Sequence, residues 1–281
     1  MKIIIEDNIT KIKELLNRYK KEVNKKSYTD SENWENEILT LLKPLRYKNI
    51  GKILNTLIKT CYLDDKLYSP NRITYDKKEL YNKSEFNSFM DFFTRRLNRE
   101  TSDKIKSDIK DSNLIMPNES YIESLGELTD TKKIIRLKKS STAVQKDFES
   151  FGVDVKNYNY INMKLMLTYY HRIHSPCDGI IKNITPIDRK ENFFGDNTLW
   201  IIEIETKSKG VVYLLLVGES DIQNFNFYIE VGDKLKMFDD IGYFNWGSQT
   251  LILYDKRKFN IEDIQIKEKN TYFVGGSIFK K

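Results

Sequence analysis

Histidine and cysteine are scarce in this chain, and each shortage excludes a class of site. The 281 residues include two histidines and two cysteines, Cys61 and Cys177. Two cysteines are too few for a disulfide framework, so we expect a reducing, intracellular compartment. They lack the Cys-x-x-Cys or histidine spacing that holds zinc, so the sequence predicts no metal site. A membrane-spanning helix needs about 20 consecutive apolar residues, and no stretch of the sequence approaches that length. The apolar run near the N-terminus is too short for a signal peptide.

The excess of positive charge is small and spread along the chain. Lys+Arg is 47 and Asp+Glu is 41, which gives a net charge of +6. Such an excess attracts an anionic membrane surface or a nucleic acid only weakly. Because no basic and aromatic residues cluster as in nucleic-acid-binding domains, we expect no nucleic-acid partner. A hydrophobic fraction of 40% predicts a chain with a packed core.

Apolar residues recur at helical spacing through residues 1–100. Two stripes are the clearest: Ile50, Ile53, Leu54, Leu57, Ile58 and Cys61, and then Phe86, Phe89, Met90, Phe93 and Leu97. Each stripe fits either an ordinary core face or a helix that lies in a membrane interface, and periodicity does not separate the two. We expect residues 1–100 to form a helical, membrane-facing region, whose helices also allow a homodimer.

Short apolar runs rich in β-branched residues follow from about position 114. Leu199–Glu205 and Val211–Val217, joined by Thr-Lys-Ser-Lys-Gly, predict a hairpin. Three further strands are predicted at Tyr228–Val231, Ile241–Phe244 and Thr250–Tyr254. Ser141–Phe151 predicts a helix, and the charged segment Arg99–Asn113 predicts a linker or mobile loop. The sequence therefore predicts an α+β fold, with an N-terminal helical region followed by a β-rich domain over residues 101–281.

Both histidines lie within Tyr170–Pro176, on either side of Arg172. Histidine is the side chain whose unperturbed pKa suits it to both acid and base roles near neutral pH. Two histidines in a polar segment are commonly surface residues. A pair that flanks an arginine and is followed by Ser-Pro-Cys-Asp-Gly gives a functional reading equal weight.

Three stretches together resemble the phosphatidylserine decarboxylase family. Tyr169–Pro176 resembles the family's Asp-Tyr-His-Arg-x-His-x-Pro box. Gly232–Ser248 resembles its Lys-Gly-Glu-Glu and Gly-x-Phe-x-x-Gly-Ser-Thr segment, and Phe89–Leu97 resembles its Phe-Phe-x-Arg-x-Leu box. The three stretches occur in the family's order, and the resemblance covers roughly residues 80–258.

The resemblance implies a zymogen of phospholipid biosynthesis, which cleaves itself and then decarboxylates phosphatidylserine to phosphatidylethanolamine. Loss of CO2 from an α-amino acid leaves a carbanion that needs an electron sink. The family makes this sink, a pyruvoyl group, from an internal serine, here Ser248. Its hydroxyl would attack the carbonyl of Gly247, and β-elimination would then cut the chain between Gly247 and Ser248. The implied partners are a phospholipid substrate and a membrane surface to which the protein binds peripherally.

The family also implies which residues drive the cleavage. His174 would be the base that takes the proton of Ser248, and an acid upstream would orient it. The family has Pro-x-Asp-Gly at that place, whereas this chain has Glu119 for the aspartate and Ser120 for the glycine. Glutamate keeps the charge on a side chain one methylene longer, and serine adopts φ > 0 less readily than glycine. We expect Glu119→Asp to process at least as fast as the parent.

The remaining roles concern the substrate. By resemblance His171 lies nearest the departing carboxylate or the lipid phosphate and would protonate the carbanion. Arg172 would either contact the phosphate or form a structural ion pair. A catalytically inactive homologue that binds lipid or a partner is the alternative function. Glu119, Ser120 and Tyr169 favour that alternative, and the intact His174 and Gly247-Ser248 oppose it.

Overall fold

The computed structural model divides the chain into two units. It describes residues 7–15, 37–38, 40–52, 54–56, 80–82, 85–110, 113–129, 148–149, 151–166, 169–187, 199–218, 225–246 and 249–279. The first unit comprises residues 1–102 and 166–169, and the second comprises residues 103–165 and 170–281.

The first unit is helical where it is described. Residues 7–15, 40–42, 51–52 and 54–56 are helical, a 3-10 turn spans Lys43–Leu45, and the short helix α1 spans Phe89–Phe93. Helix α1 begins after Ser88, whose hydroxyl accepts a hydrogen bond from an amide of the first turn. The second predicted stripe is buried, which identifies it as core although only its centre is helical. Within the described ranges no helix is long and apolar enough to cross a membrane. That residues 1–100 face a membrane stays a prediction.

The mobile loop predicted over Arg99–Asn113 is wrong, because Arg99–Asp108 forms the helix α2. The segment does join the two units, since the boundary between them follows Ser102. The side-chain oxygen of Asn98 accepts a hydrogen bond from a first-turn amide at 2.7 Å and so caps the helix. Ile105 and Ile109 lie four residues apart and are both buried. The charged residues that suggested a linker are the exposed side of an amphipathic helix.

The described part of the second unit holds two antiparallel sheets. The strands are β1 (Ser120–Glu127), β2 (Tyr158–Lys164), β3 (Arg172–His174), β4 (Gly179–Ile187), β5 (Leu199–Glu205), β6 (Val211–Val217), β7 (Phe225–Phe227), β8 (Lys234–Leu235), β9 (Asp240–Phe244), β10 (Gln249–Asp255) and β11 (Thr271–Tyr272). Eight strands form one sheet in the order β11-β1-β2-β10-β6-β5-β4-β8, and three form the second in the order β3-β9-β7. Short 3-10 turns span Val155–Asn157 and Ile261–Asp263. The predicted α+β class is confirmed.

The hairpin prediction is confirmed as β5 and β6, and the strands predicted near β9 and β10 are also present. The strand predicted at Tyr228–Val231 is wrong, because β7 ends at Phe227. The Tyr228 amide still donates to the Ile241 carbonyl of β9 at 2.9 Å. The following residues form a turn in which the amide of Glu230 donates to the carboxylate of Asp233. The helix predicted at Ser141–Phe151 lies outside the described residues except for a helical pair at 148–149 and a turn at 151.

Strand β10 is the centre of the larger sheet. It pairs with β2 on one side and with β6 on the other, and all seven of its residues are buried. Leu251 and Leu253 of β10 share one hydrophobic cluster with Leu215 and Val217 of β6. Removal of this strand would therefore expose apolar surface on two neighbours at once.

Gly242 allows β7 to approach β9 closely in the smaller sheet. It lies in β9 opposite Ile173 of β3 and Phe227 of β7. A Cβ atom on this residue would lie 2.1 Å from the carbonyl oxygen of Asn226, a distance that no side chain tolerates. The position therefore requires glycine.

Gly242→Ala should lower the free energy of unfolding by about 2–3 kcal/mol, which is typical of overpacking. Gly232→Ala is the control, because its φ is +98° but no atom lies within 4 Å of the added Cβ. The control should lose only about 1 kcal/mol through its backbone conformation. Urea unfolding in a Ser248→Ala background, which removes the predicted cleavage site, measures both. Equal losses would contradict the steric explanation.

Candidate active site

Backbone hydrogen bonds bring the two separated motifs side by side. The amide of His174 donates to the carbonyl of Pro117 at 2.8 Å, and the amide of Ile115 donates to the carbonyl of Pro176 at 2.9 Å. Glu119 follows Pro117 by two residues and is 2% exposed, immediately before β1 begins. The segment that carries the predicted acid therefore runs along the segment that carries the predicted base.

The partners of the His174 ring determine its protonation pattern. Its Nδ1 atom lies 3.0 Å from the carbonyl oxygen of Phe238. A carbonyl oxygen only accepts, so Nδ1 carries the proton. Its Nε2 atom lies 3.0 Å from the hydroxyl of Tyr170, which donates to it when the ring is neutral. The neutral ring thus has Nε2 as its basic nitrogen.

Phe238 holds His174 through both its backbone and its ring. The two rings stack with centroids 4.3 Å apart and planes 6° apart. Phe238 has a φ of 74°, which is unfavourable for a residue with a side chain. Hydrogen bonds from its amide to the Ser175 carbonyl and from the Ser175 amide to the Asp239 carbonyl, 2.9 and 2.7 Å long, hold this conformation.

Glu119 reaches the histidine box at Tyr170. Its Oε2 atom accepts a hydrogen bond from the Tyr170 amide at 2.8 Å. The sequence predicts that Glu119 orients His174, and Tyr170 contacts both side chains. The residue pattern predicts no role for Tyr170, because tertiary contacts decide the partner of its backbone amide.

Ser120 fits the position at which the family has glycine. Among the described non-glycine residues only Phe238 and Lys269 have a positive φ, so Ser120 adopts an ordinary backbone conformation. Its hydroxyl donates to the side-chain oxygen of Asn118, and the side-chain nitrogen of Asn118 donates to the Thr250 hydroxyl at 2.8 Å. The serine therefore joins the start of β1 to β10 through side-chain hydrogen bonds.

The other two polar members of the histidine box are buried. The Arg172 guanidinium forms an ion pair with Asp240 at 3.0 Å and lies 5.0 Å from the centroid of the Tyr243 ring. His171 is 1% exposed, and its carbonyl accepts a hydrogen bond from the Phe244 amide at 3.2 Å. A substrate contact by Arg172 and proton donation by His171 stay predictions.

The predicted cleavage site, Gly247 and Ser248, lies outside the described residues. The residues on either side, Trp246 and Gln249, are 1% and 2% exposed. The preceding strand β9 pairs with β3 of the histidine box, and Gln249 begins the central strand β10. The cleavage site therefore lies in the link between the strand beside His174 and the centre of the larger sheet.

Cys177 lacks the properties of a nucleophile. Burial, with a smaller contribution from the negative charge of Asp178, raises the pKa of its thiol to about 12. A thiol that stays protonated near neutral pH is a poor nucleophile and a poor metal ligand. Within the described part of the chain, no group of three histidine, cysteine, aspartate or glutamate residues lies suitably for a metal ion.

Comparison with known proteins finds one family along most of the second unit. A sequence profile of the phosphatidylserine decarboxylase family matches residues 89–280. The phosphatidylserine decarboxylase proenzyme of Anoxybacillus flavithermus is 26% identical over 215 residues, which are 70% of this chain and 76% of that protein. The proenzyme of Chlamydia felis is 28% identical over 190 residues, which are 60% of each chain. That of Clostridium botulinum is 29% identical over 198 residues, which are 65% of each chain.

The family match covers well over half of the chain and includes both histidines, the ion pair of Arg172 and the central strand β10. The chain belongs to the phosphatidylserine decarboxylase family.

Proposed function

We propose that this chain is a self-processing phosphatidylserine decarboxylase, which forms its own pyruvoyl group and then converts phosphatidylserine to phosphatidylethanolamine. The observation that carries the proposal is the state of His174. Phe238 fixes its Nδ1 as the protonated nitrogen, which leaves Nε2 as the base. A buried imidazole with one defined basic atom is what a serine nucleophile requires.

The processing reaction uses residues of the chain alone. His174 takes the proton of the Ser248 hydroxyl, and the oxygen attacks the carbonyl carbon of Gly247. The peptide nitrogen leaves and is protonated, so an ester replaces the peptide bond. Loss of the α-proton of residue 248 then expels the Gly247 carboxylate and cuts the chain. Addition of water and release of ammonia leave a pyruvoyl group at the new N-terminus.

The pyruvoyl group would supply the electron sink for loss of CO2 from the substrate. His171 is the proposed donor of the proton that replaces the carboxylate, in agreement with its burial in the histidine box. Because the proposed substrate is a membrane phospholipid, we further propose peripheral binding to a membrane surface. The net charge of +6 favours an anionic surface.

Ser248→Ala and His174→Ala should each abolish cleavage, because one lacks the nucleophile and the other lacks the base. Intact mass of the purified proteins should show one full-length chain for both variants and two chains for the parent. His171→Ala is the matched control. It should still cleave, while its decarboxylation of phosphatidylserine vesicles falls by at least about 100-fold.

A parent protein that remains one full-length chain after long incubation would contradict self-processing and support the inactive homologue. Cleavage of His174→Ala at the parent's rate would exclude His174 as the base.

The two cleavage products should stay together, because the short chain would begin with the central strand. β10 pairs with β2 and β6, and the same chain supplies β11, which pairs with β1. Size-exclusion chromatography of the processed protein should give one peak that contains both chains. Separation should require a denaturant. Elution of the short chain by itself in native buffer would contradict the described sheet order.

A further inference from the structure

Tyr170 links the two side chains on which the proposed cleavage depends. Its amide donates to Oε2 of Glu119 at 2.8 Å, and its hydroxyl lies 3.0 Å from Nε2 of His174. The residue is 1% exposed, so neither contact competes with bulk water. One buried tyrosine therefore joins the carboxylate to the imidazole.

These contacts fix the His174 ring from two directions. Phe238 binds Nδ1 through its carbonyl, and Tyr170 binds Nε2 through its hydroxyl. The Tyr170 and His174 rings lie nearly parallel, with planes 12° apart and centroids 5.7 Å apart. A tyrosine hydroxyl is both donor and acceptor, so it can donate to neutral Nε2 and accept from Nε2–H once the ring is protonated. Because the one lone pair of neutral Nε2 already accepts from Tyr170, the Ser248 proton would reach this nitrogen through the tyrosine hydroxyl, which accepts from the serine as it donates its own proton to the ring.

The length of Glu119 matches this contact. Aspartate at this position is shorter by one carbon–carbon bond, about 1.5 Å. The carboxylate of aspartate would therefore lie farther from the Tyr170 amide than the present 2.8 Å, beyond the distance at which a hydrogen bond forms. The extra methylene of glutamate therefore has a purpose here, which is to reach the backbone of Tyr170.

We propose that Tyr170 is a positioning residue through which Glu119 holds the basic nitrogen of His174. The inference rests on the proposed self-processing function, and it adds a residue to which no role is assigned. Under this proposal Glu119 acts chiefly as a hydrogen-bond acceptor for the Tyr170 amide. If Glu119 instead oriented His174 directly, the negative charge of the Glu119 carboxylate would be the essential property.

Two substitutions of Glu119 separate these roles. Glutamine keeps an acceptor oxygen at the same reach without the charge, and aspartate keeps the charge without the reach. The proposal predicts that Glu119→Gln processes within about fivefold of the parent rate, while Glu119→Asp is at least about tenfold slower. The opposite order, with fast Glu119→Asp and inactive Glu119→Gln, would overturn the proposal and match the expectation from sequence alone. The first-order rate of chain cleavage, followed by intact mass, measures both.

Tyr170→Phe tests the hydroxyl while it keeps the ring and the amide. Loss of the hydrogen bond to Nε2 should slow cleavage about tenfold. The double variant with Glu119→Asp should be little slower than Glu119→Asp alone, since both changes interrupt one linkage. Tyr254→Phe is the control, because it removes a buried hydroxyl from a residue that packs against Phe259 and Phe279. The control should cleave at the parent rate.

Hydroxylamine identifies the step that is affected, because it cleaves the ester between the two products but leaves the peptide bond intact. Tyr170→Phe should stay slow with hydroxylamine present, since the ester itself forms slowly. A thermal melting temperature close to the parent's would show that the fold is retained. A cleavage rate equal to the parent's, or faster, would overturn the proposal, because the hydroxyl would then be irrelevant or would compete with Ser248 for Nε2.

A second measurement does not depend on cleavage. The chain has only two histidines, so the imidazole nitrogen NMR spectrum of the uncut Ser248→Ala protein holds two sets of signals. Tyr170→Phe should shift the Nε2 resonance of His174 and leave its Nδ1 protonated, and Glu119→Asp should move the same resonance. An unchanged Nε2 resonance in Tyr170→Phe would refute the contact. If the parent failed to self-cleave, the proposed function would fail, and this spectrum would still decide the linkage.

Discussion

The hydrogen bond between Nδ1 of His174 and the carbonyl of Phe238 is the interaction on which the site depends. It assigns the proton to one ring nitrogen and leaves the other as the base. Phe238 presents that carbonyl from a left-handed backbone conformation, which two backbone hydrogen bonds to Ser175 maintain. Ser175 follows His174 directly in the histidine box. The box therefore fixes the backbone at Phe238, and Phe238 in turn binds the His174 ring.

The two sheets hold the strands on either side of the link that the proposed reaction cuts. β3 carries His174 and pairs with β9, while β10 occupies the middle of the larger sheet. The link between β9 and β10 contains Gly247 and Ser248. The register of the smaller sheet sets His174 opposite Asp240, at the start of β9, and Arg172 opposite Tyr243, nearer to that link. Gly242 helps to maintain the smaller sheet, since only a residue without a side chain lets β7 approach β9 so closely.

Sequence patterns predicted the parts of the structure that depend on local order. The β5–β6 hairpin follows from two β-branched runs around a polar turn. Both histidines belong to a box of consecutive residues that can be recognised in the sequence. The pattern over Arg99–Asn113 was misleading, because a charged helix and a charged loop have similar compositions. The two buried isoleucines of this segment, four residues apart, are the feature that indicates a helix. The roles of Phe238 and Tyr170 were beyond prediction from residue types, since each acts through a backbone atom whose position is set by tertiary contacts.

The proposed function requires that Ser248 become a pyruvoyl group. Mass measurement of the short chain before and after borohydride reduction tests this conversion. We predict a chain that begins at position 248 with a pyruvoyl group, which reduction converts to a lactyl group. A short chain with a free serine at its N-terminus, or one that borohydride leaves unchanged, would contradict it.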